Sequence, residues 1–113
     1  MITTSNNLIR ATTQSFNQEV LQASQPVMVD FYADWCAPCK MLAPVFERLA
    51  EEYSGRVKFV KVNVDDEGPL AQQFNISGIP ALILFKDGAV FDSVVGLVPP
   101  AELKKKLDRL AGA

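Results

Sequence analysis

Two cysteines, Cys36 and Cys39, stand three positions apart in the segment Trp35-Cys36-Ala37-Pro38-Cys39-Lys40; the chain holds no other cysteine and no histidine. Thiols at this spacing can close a small disulfide ring and reopen it by exchange with another disulfide. The pair falls between a strand signal and a long helix signal, so it stands at a helix start. There, free backbone N–H groups and the positive end of the helix dipole favour a thiolate, the attacking species in exchange. Cys36 is therefore the expected nucleophile, and Cys39, one turn in, the shielded thiol that resolves the mixed disulfide. Three other uses fit less well. Half of a zinc site would need ligands from a second chain. A structural crosslink over so short a loop removes little chain entropy. Inert core cysteines would not be expected in a polar, proline-containing segment.

The missing histidines remove Cys2His2 zinc sites and Cys-His or Ser-His catalytic pairs. Chemistry must come from thiols, carboxylates, lysines and backbone, with no metal site expected. The 113 residues suit one domain, 1–113, and a 49% apolar fraction suffices for a core without disulfide staples. A formal net charge of -2 argues against nucleic acid or an anionic membrane as the main partner. No apolar run approaches the roughly 20 residues that span a bilayer. Met1 to Asn7 has neither the charged start nor the apolar stretch of a secretory signal.

The elements that would position the thiols alternate between strand and helix signals, which favours an α/β domain. Leu8 to Thr12 reads as a short first strand. Ser15 to Ala23 reads as a helix, with Thr13 or Ser15 as its cap. Val27 to Ala33 is a nearly continuous apolar run, the mark of a strand buried on both faces. Asp30 lies inside it; burial is expected, with a solvent-facing position as the alternative. Met41, Leu42, Val45, Phe46, Leu49, Ala50 and Tyr53 recur at helical spacing after the cysteines. Pro44 should bend that helix, and Gly55 should follow its end. Val57 to Asp65 reads as a central strand, and Gly68 to Phe74 as a short helix. Ala81–Phe85 and Ala89–Val95 read as two strands joined by an Asp87-Gly88 hairpin turn. Pro99-Pro100 opens a last helix carrying Leu103, Leu107 and Leu110 on one face, with Lys104-Lys105-Lys106 expected on its solvated side.

The chain resembles the thioredoxin family. The motifs that carry the resemblance are Val29-Asp30-Phe31-Tyr32-Ala33-Asp34-Trp35-Cys36, Pro38-Cys39-Lys40-Met41, Ala43-Pro44 and Val62-Asn63-Val64-Asp65. Ile76-Ser77-Gly78-Ile79-Pro80 and Leu84-Phe85-Lys86-Asp87-Gly88 follow in family order and spacing. The resemblance implies a thioredoxin fold, a central mixed five-stranded sheet flanked by four helices. It implies a reductant of protein disulfides that acts through a mixed-disulfide intermediate, with thioredoxin reductase as electron donor. No cofactor is expected beyond the Cys36–Cys39 pair. The expected molecule is a monomer, cytoplasmic, or in an organelle stroma or matrix if a transit peptide was removed. Residue by residue, the resemblance makes Pro80 a cis-proline opposite the dithiol and Asp30 the proton acceptor for Cys39. It makes Lys61 an auxiliary near Asp30, with a plain surface lysine on its strand as the alternative. Trp35, Ala37, Pro38, Ile79, Pro80, Val95, Gly96 and Leu97 become the rim that holds substrate, although Val95 and Leu97 also fit plain core packing. Burial should raise the Asp30 pKa, as suits a base working near neutrality.

Three residues depart from the family pattern: Ala37 in place of glycine, Tyr32 in place of a frequent tryptophan, and Ala81 in place of a frequent threonine. A disulfide oxidase or isomerase is the alternative enzyme, but those relatives usually carry histidine before the second cysteine, where this chain has Pro38. A binding subunit with incidental thiols is the alternative outside enzymes, and the joint presence of Asp30, Cys36, Cys39 and Pro80 argues against it.

Overall fold

Val27–Tyr32, buried at all six positions, forms the central strand β2. The computed structural model describes residues 7–112; the Met1–Asn7 signal-peptide question lies, but for Asn7, outside them. Around β2 a five-stranded sheet runs in the order β1-β3-β2-β4-β5. The others are β1 (Leu8–Arg10), β3 (Lys58–Asn63), β4 (Ala81–Lys86) and β5 (Ala89–Val95). β1 and β2 both pair parallel with β3, while β4 pairs antiparallel with β2 and with β5. The sheet is mixed, as the family resemblance implies, and the helical segments number four among the described residues.

Alternation along the strands sends side chains to two separate cores. Met28, Phe59, Leu82 and Leu84 face α1 (Ala37–Glu52) and α3 (Pro100–Gly112), and pack with Leu42, Phe46, Leu49, Leu103, Leu107 and Leu110. Phe46 and Phe59 meet edge to face, with ring centroids 5.0 Å apart. Val29, Phe31, Val60, Val62 and Ile83 face the other way. There Phe16, Phe74 and Phe85 form a ring cluster, with Phe74 just past α2 (Gly68–Gln73).

Several elements differ from their sequence-based expectations. The Ser15–Ala23 helix is a single π-helical turn, Asn17–Leu21. Its entry is capped by neither Thr13 nor Ser15 alone. Thr12 and Ser15 each accept the other's backbone N–H, at 3.1 and 2.8 Å. Met41 is exposed rather than buried, because the buried stripe of α1 runs through Cys39, Leu42, Phe46, Leu49 and Ala50. Met41 lies about 100° off that stripe. α1 continues through an exposed Pro44, and Gly55 follows it at φ 85°. Asp87 and Gly88 both have positive φ, 53° and 81°, as a tight hairpin turn needs. Lys106 is not a freely solvated lysine: its ammonium binds Asp92 on β5 at 2.9 Å.

Candidate active site

α1 begins at the dithiol. Cys36 is the N-cap, in extended backbone, and its Sγ accepts the Cys39 N–H at 3.2 Å. Pro38 occupies the first turn, where a missing N–H costs nothing. Cys36 and Cys39 are joined as a disulfide, with Cα atoms 5.2 Å apart. The sequence distinguishes an open Cys36 from a shielded Cys39, but in this oxidised form both residues are only 4% exposed. What differs is their surroundings. Cys36 Sγ lies 3.8 Å from the Ile79 carbonyl oxygen, at the surface that carries the apolar rim. Cys39 lines a cavity of about 300 Å³ on the other side, together with Tyr32, Lys40, Arg10 and Lys61.

The Ile79–Pro80 peptide bond is cis, and Pro80 is buried. The Pro80 carbonyl accepts the Gly96 N–H at 2.8 Å, which ties the loop after β5 to the loop before β4. Gly96 has φ 93°, and a Cβ built on it would meet no protein atom within 4 Å. Its glycine therefore answers a backbone conformation, and leaves open space above the strand. Val95 and Leu97 are 64% and 45% exposed, so neither serves as a core residue. Trp35 is 70% exposed, and with Ile79 it lines a groove of about 290 Å³. Ala37 and Pro38 are exposed at the same end of α1. These residues thus come from three separate stretches of chain: the entry to α1, the loop before β4, and the end of β5 with the loop after it.

Asp65 has a role that its residue type and spacing do not announce, although it closes the segment Val62-Asn63-Val64-Asp65. Its Oδ2 accepts the Trp35 indole N–H at 2.8 Å, and its own N–H is held by the Asn63 side chain at 2.9 Å. The indole is thereby braced while remaining exposed. An acidic residue after β3, thirty positions from an exposed tryptophan, gave no local signal of this contact.

Asp30 is 1% exposed, and neither carboxyl oxygen has a hydrogen-bond partner. Burial pushes its pKa from 3.8 up to about 7, against a lowering pull from the Lys61 charge. Lys61 stands opposite Asp30 in the β2–β3 register. Its ammonium, however, lies 4.3 Å from the centre of the Tyr32 ring. The carboxyl faces the sheet side on which α1 packs, the side of Met28 and Leu82. The site thus combines an oxidised dithiol at a helix start, a buried carboxyl that takes up a proton near neutrality, and an apolar rim. That arrangement suits two-electron exchange with a disulfide presented by an extended chain. No cluster of metal-ligating side chains occurs among the described residues.

Comparison with known proteins agrees with this chemistry. The thioredoxin family model matches residues 7–109. Thioredoxin 1 of Synechococcus elongatus is 51% identical over 98 residues, covering 87% of this chain and 92% of that protein. Thioredoxin C-2 of Corynebacterium nephridii is 47% identical over 105 residues, covering 93% and 97%. Thioredoxin 1 of a Nostoc species is 46% identical over 100 residues, covering 88% and 94%. With the fold, the dithiol and these relatives in agreement, the chain belongs to the thioredoxin family and is a thiol–disulfide oxidoreductase that reduces protein disulfides.

Proposed function

We propose that the residues divide the reaction as follows. In the reduced protein the Cys36 thiolate attacks one sulfur of a target disulfide. A Cys36–target bond forms and the other target sulfur leaves as a thiolate. Asp30 takes the proton of the Cys39 thiol, and Cys39 then attacks Cys36 Sγ. The second target sulfur leaves as a thiolate and the Cys36–Cys39 bond closes; the target has gained two electrons, and its two thiolates take up one proton from Asp30 and one from water. Trp35, Ala37, Pro38, Ile79, Pro80, Val95, Gly96 and Leu97 hold the target chain, and Lys61 acts on Asp30 through its charge.

The observation that carries this division is the position of Cys36 Sγ. It receives the Cys39 N–H at a helix start and lies beside the Ile79 carbonyl at the rim. An amide donor stabilises a thiolate there, while Cys39 lines the cavity behind. Thioredoxin reductase is the proposed electron donor, as the family implies. The described residues include no helix long and apolar enough to cross a membrane; we propose a monomer working in the cytoplasm or an organelle stroma or matrix, with no cofactor. The test is reduction of insulin disulfides. Cys36→Ser should abolish turnover and form no adduct, whereas Cys39→Ser should trap the target on Cys36. Trapping through Cys39 in the Cys36→Ser variant would overturn the assignment.

A further inference from the structure

Across three neighbouring strands, Arg10, Lys61 and Asp30 fall in one row. Arg10 on β1 registers with Lys61 on β3, and Lys61 registers with Asp30 on β2. Opposite charges placed across neighbouring strands normally pair. Here they do not, and both carboxyl oxygens of Asp30 remain without a partner. The two cations go instead to Tyr32, two residues along β2 and on the same face as Asp30. Arg10 Nη1 donates to the Tyr32 hydroxyl at 2.6 Å, and Lys61 Nζ stands 4.3 Å from the ring centre. Tyr32 is only 6% exposed and packs with Ala33, Cys36 and Cys39, so the ring cannot swing freely.

We propose that Arg10 and Tyr32 are positioning residues: they hold the Lys61 ammonium over the aromatic ring and away from the Asp30 carboxyl, which stays unpaired. A cation over a ring face is attracted by the ring quadrupole, more strongly where water is partly excluded. The hydroxyl bond to Arg10 fixes the ring in the plane that Lys61 uses. The consequence rests on the proton-acceptor role proposed for Asp30. A salt-bridged carboxylate would hold its charge and be a poor base near neutrality, whereas an unpaired buried one exchanges a proton there. Other groups facing Asp30 do not substitute for Lys61. Leu82 stands opposite Asp30 on β4, and the buried stripe of α1, the helix on this sheet face, is apolar but for Cys39, a titratable thiol only when reduced. Asp34 and Lys40 lie further out, at the cavity beside Cys39, and both are exposed.

The test is the titration of the Asp30 carboxyl, followed by carbon NMR in the oxidised protein, where neither cysteine titrates. In Tyr32→Leu the midpoint should fall by about one pH unit or more, as for a carboxyl that gains an adjacent cation. Arg10→Ala and Tyr32→Phe should each move it in the same direction by less, and together by no more than either alone. In a Lys61→Met background Tyr32→Leu should have no such effect. That control separates release of the ammonium from entry of water. An unmoved or raised midpoint in Tyr32→Leu overturns the proposal, as does a fall that survives Lys61→Met. Should Tyr32→Leu fail to fold, Arg10→Ala and Tyr32→Phe decide it, since both keep a ring or its neighbours in place. The base role is judged apart, by whether Asp30→Asn removes the pH dependence of insulin reduction near neutrality. Its failure would leave the titration result standing on its own.

Discussion

Among single residues, Asp30 is the one whose thermodynamic cost can be stated. Its pKa is 3.8 in an unfolded chain and about 7 in the fold, because burial penalises the carboxylate. Below both values the group is neutral in either state and imposes no penalty. Between them the folded protein binds a proton that the unfolded chain has released, so stability falls as pH rises. Above about 7 the loss is complete, on the order of 4 kcal/mol for a shift of this size. Asp30→Ala should therefore leave stability nearly unchanged near pH 4 and raise it near pH 8, while slowing disulfide reduction. Urea unfolding at the two pH values checks this, and equal curves at pH 8 would count against the burial argument. Asp65 acts by holding Trp35. Removing that bond in Asp65→Ala should loosen the indole and raise KM for insulin by up to about fivefold, the equivalent of about 1 kcal/mol. A change in kcat alone would show that Asp65 acts on the chemistry instead. The burial of Asp30, the pairing of Cys36 with Cys39 and the cis bond before Pro80 were legible in the sequence, because each residue sits inside a dense motif. Asp65 was not, because its contact closes over thirty residues of chain. The equal burial of the two cysteines was not legible either, since shielding comes from neighbours that other loops supply.

Elements place these residues, and their boundaries follow local chemistry. Helix α1 starts at Cys36 because the sulfur caps it, and its buried stripe locks it to the sheet. Phe46, fully buried against Phe59, is the central residue of that lock. Phe46→Ala should cost about 3–5 kcal/mol, read from chemical denaturation, and should disturb the start of α1 less than its middle. The β4–β5 hairpin depends on Gly88, whose φ of 81° few other residues adopt and whose added Cβ would come within 2.9 Å of the Leu21 carbonyl oxygen. Gly88→Ala should lower stability by more than the roughly 1 kcal/mol of a left-handed alanine alone. A loss no larger would mean that the Leu21 turn yields easily. The periodic helices and the hairpin were legible because their patterns repeat. The π-helical turn at Asn17–Leu21 was not, because its pattern is too short to distinguish one helical geometry from another. Met41 was misplaced for a related reason: the sequence shows that a helix has an apolar face, but not where the face ends.

At the scale of the whole molecule, two cores on opposite faces of one sheet hold the ends of five strands in fixed relation. α1 and α3 are tied to each other by the Tyr53 hydroxyl, which donates to Asp108 at 2.6 Å, and α3 is tied to β5 by Lys106 and Asp92. Tyr53→Phe should cost about 1 kcal/mol, and Lys106→Met under about 1 kcal/mol for a partly exposed pair. Thermal melts of each variant and of the double variant would read these values. The two should nearly add, because the pairs share no partner.

The amino-acid sequence by itself determined the reacting groups, the α/β alternation and the family, because these reside in residue identity and in spacing along the chain. Only the tertiary structure decided how the dithiol is surrounded. Arg10, Lys61 and Asp30 meet through strand register. Trp35 to Pro38, Ile79–Pro80 and Val95 to Leu97 come from three separate stretches of chain, and the cations go to Tyr32 rather than to the carboxyl. Such choices depend on which side chains share one sheet face and on what burial does to a charge. Both are set by packing between segments far apart in sequence.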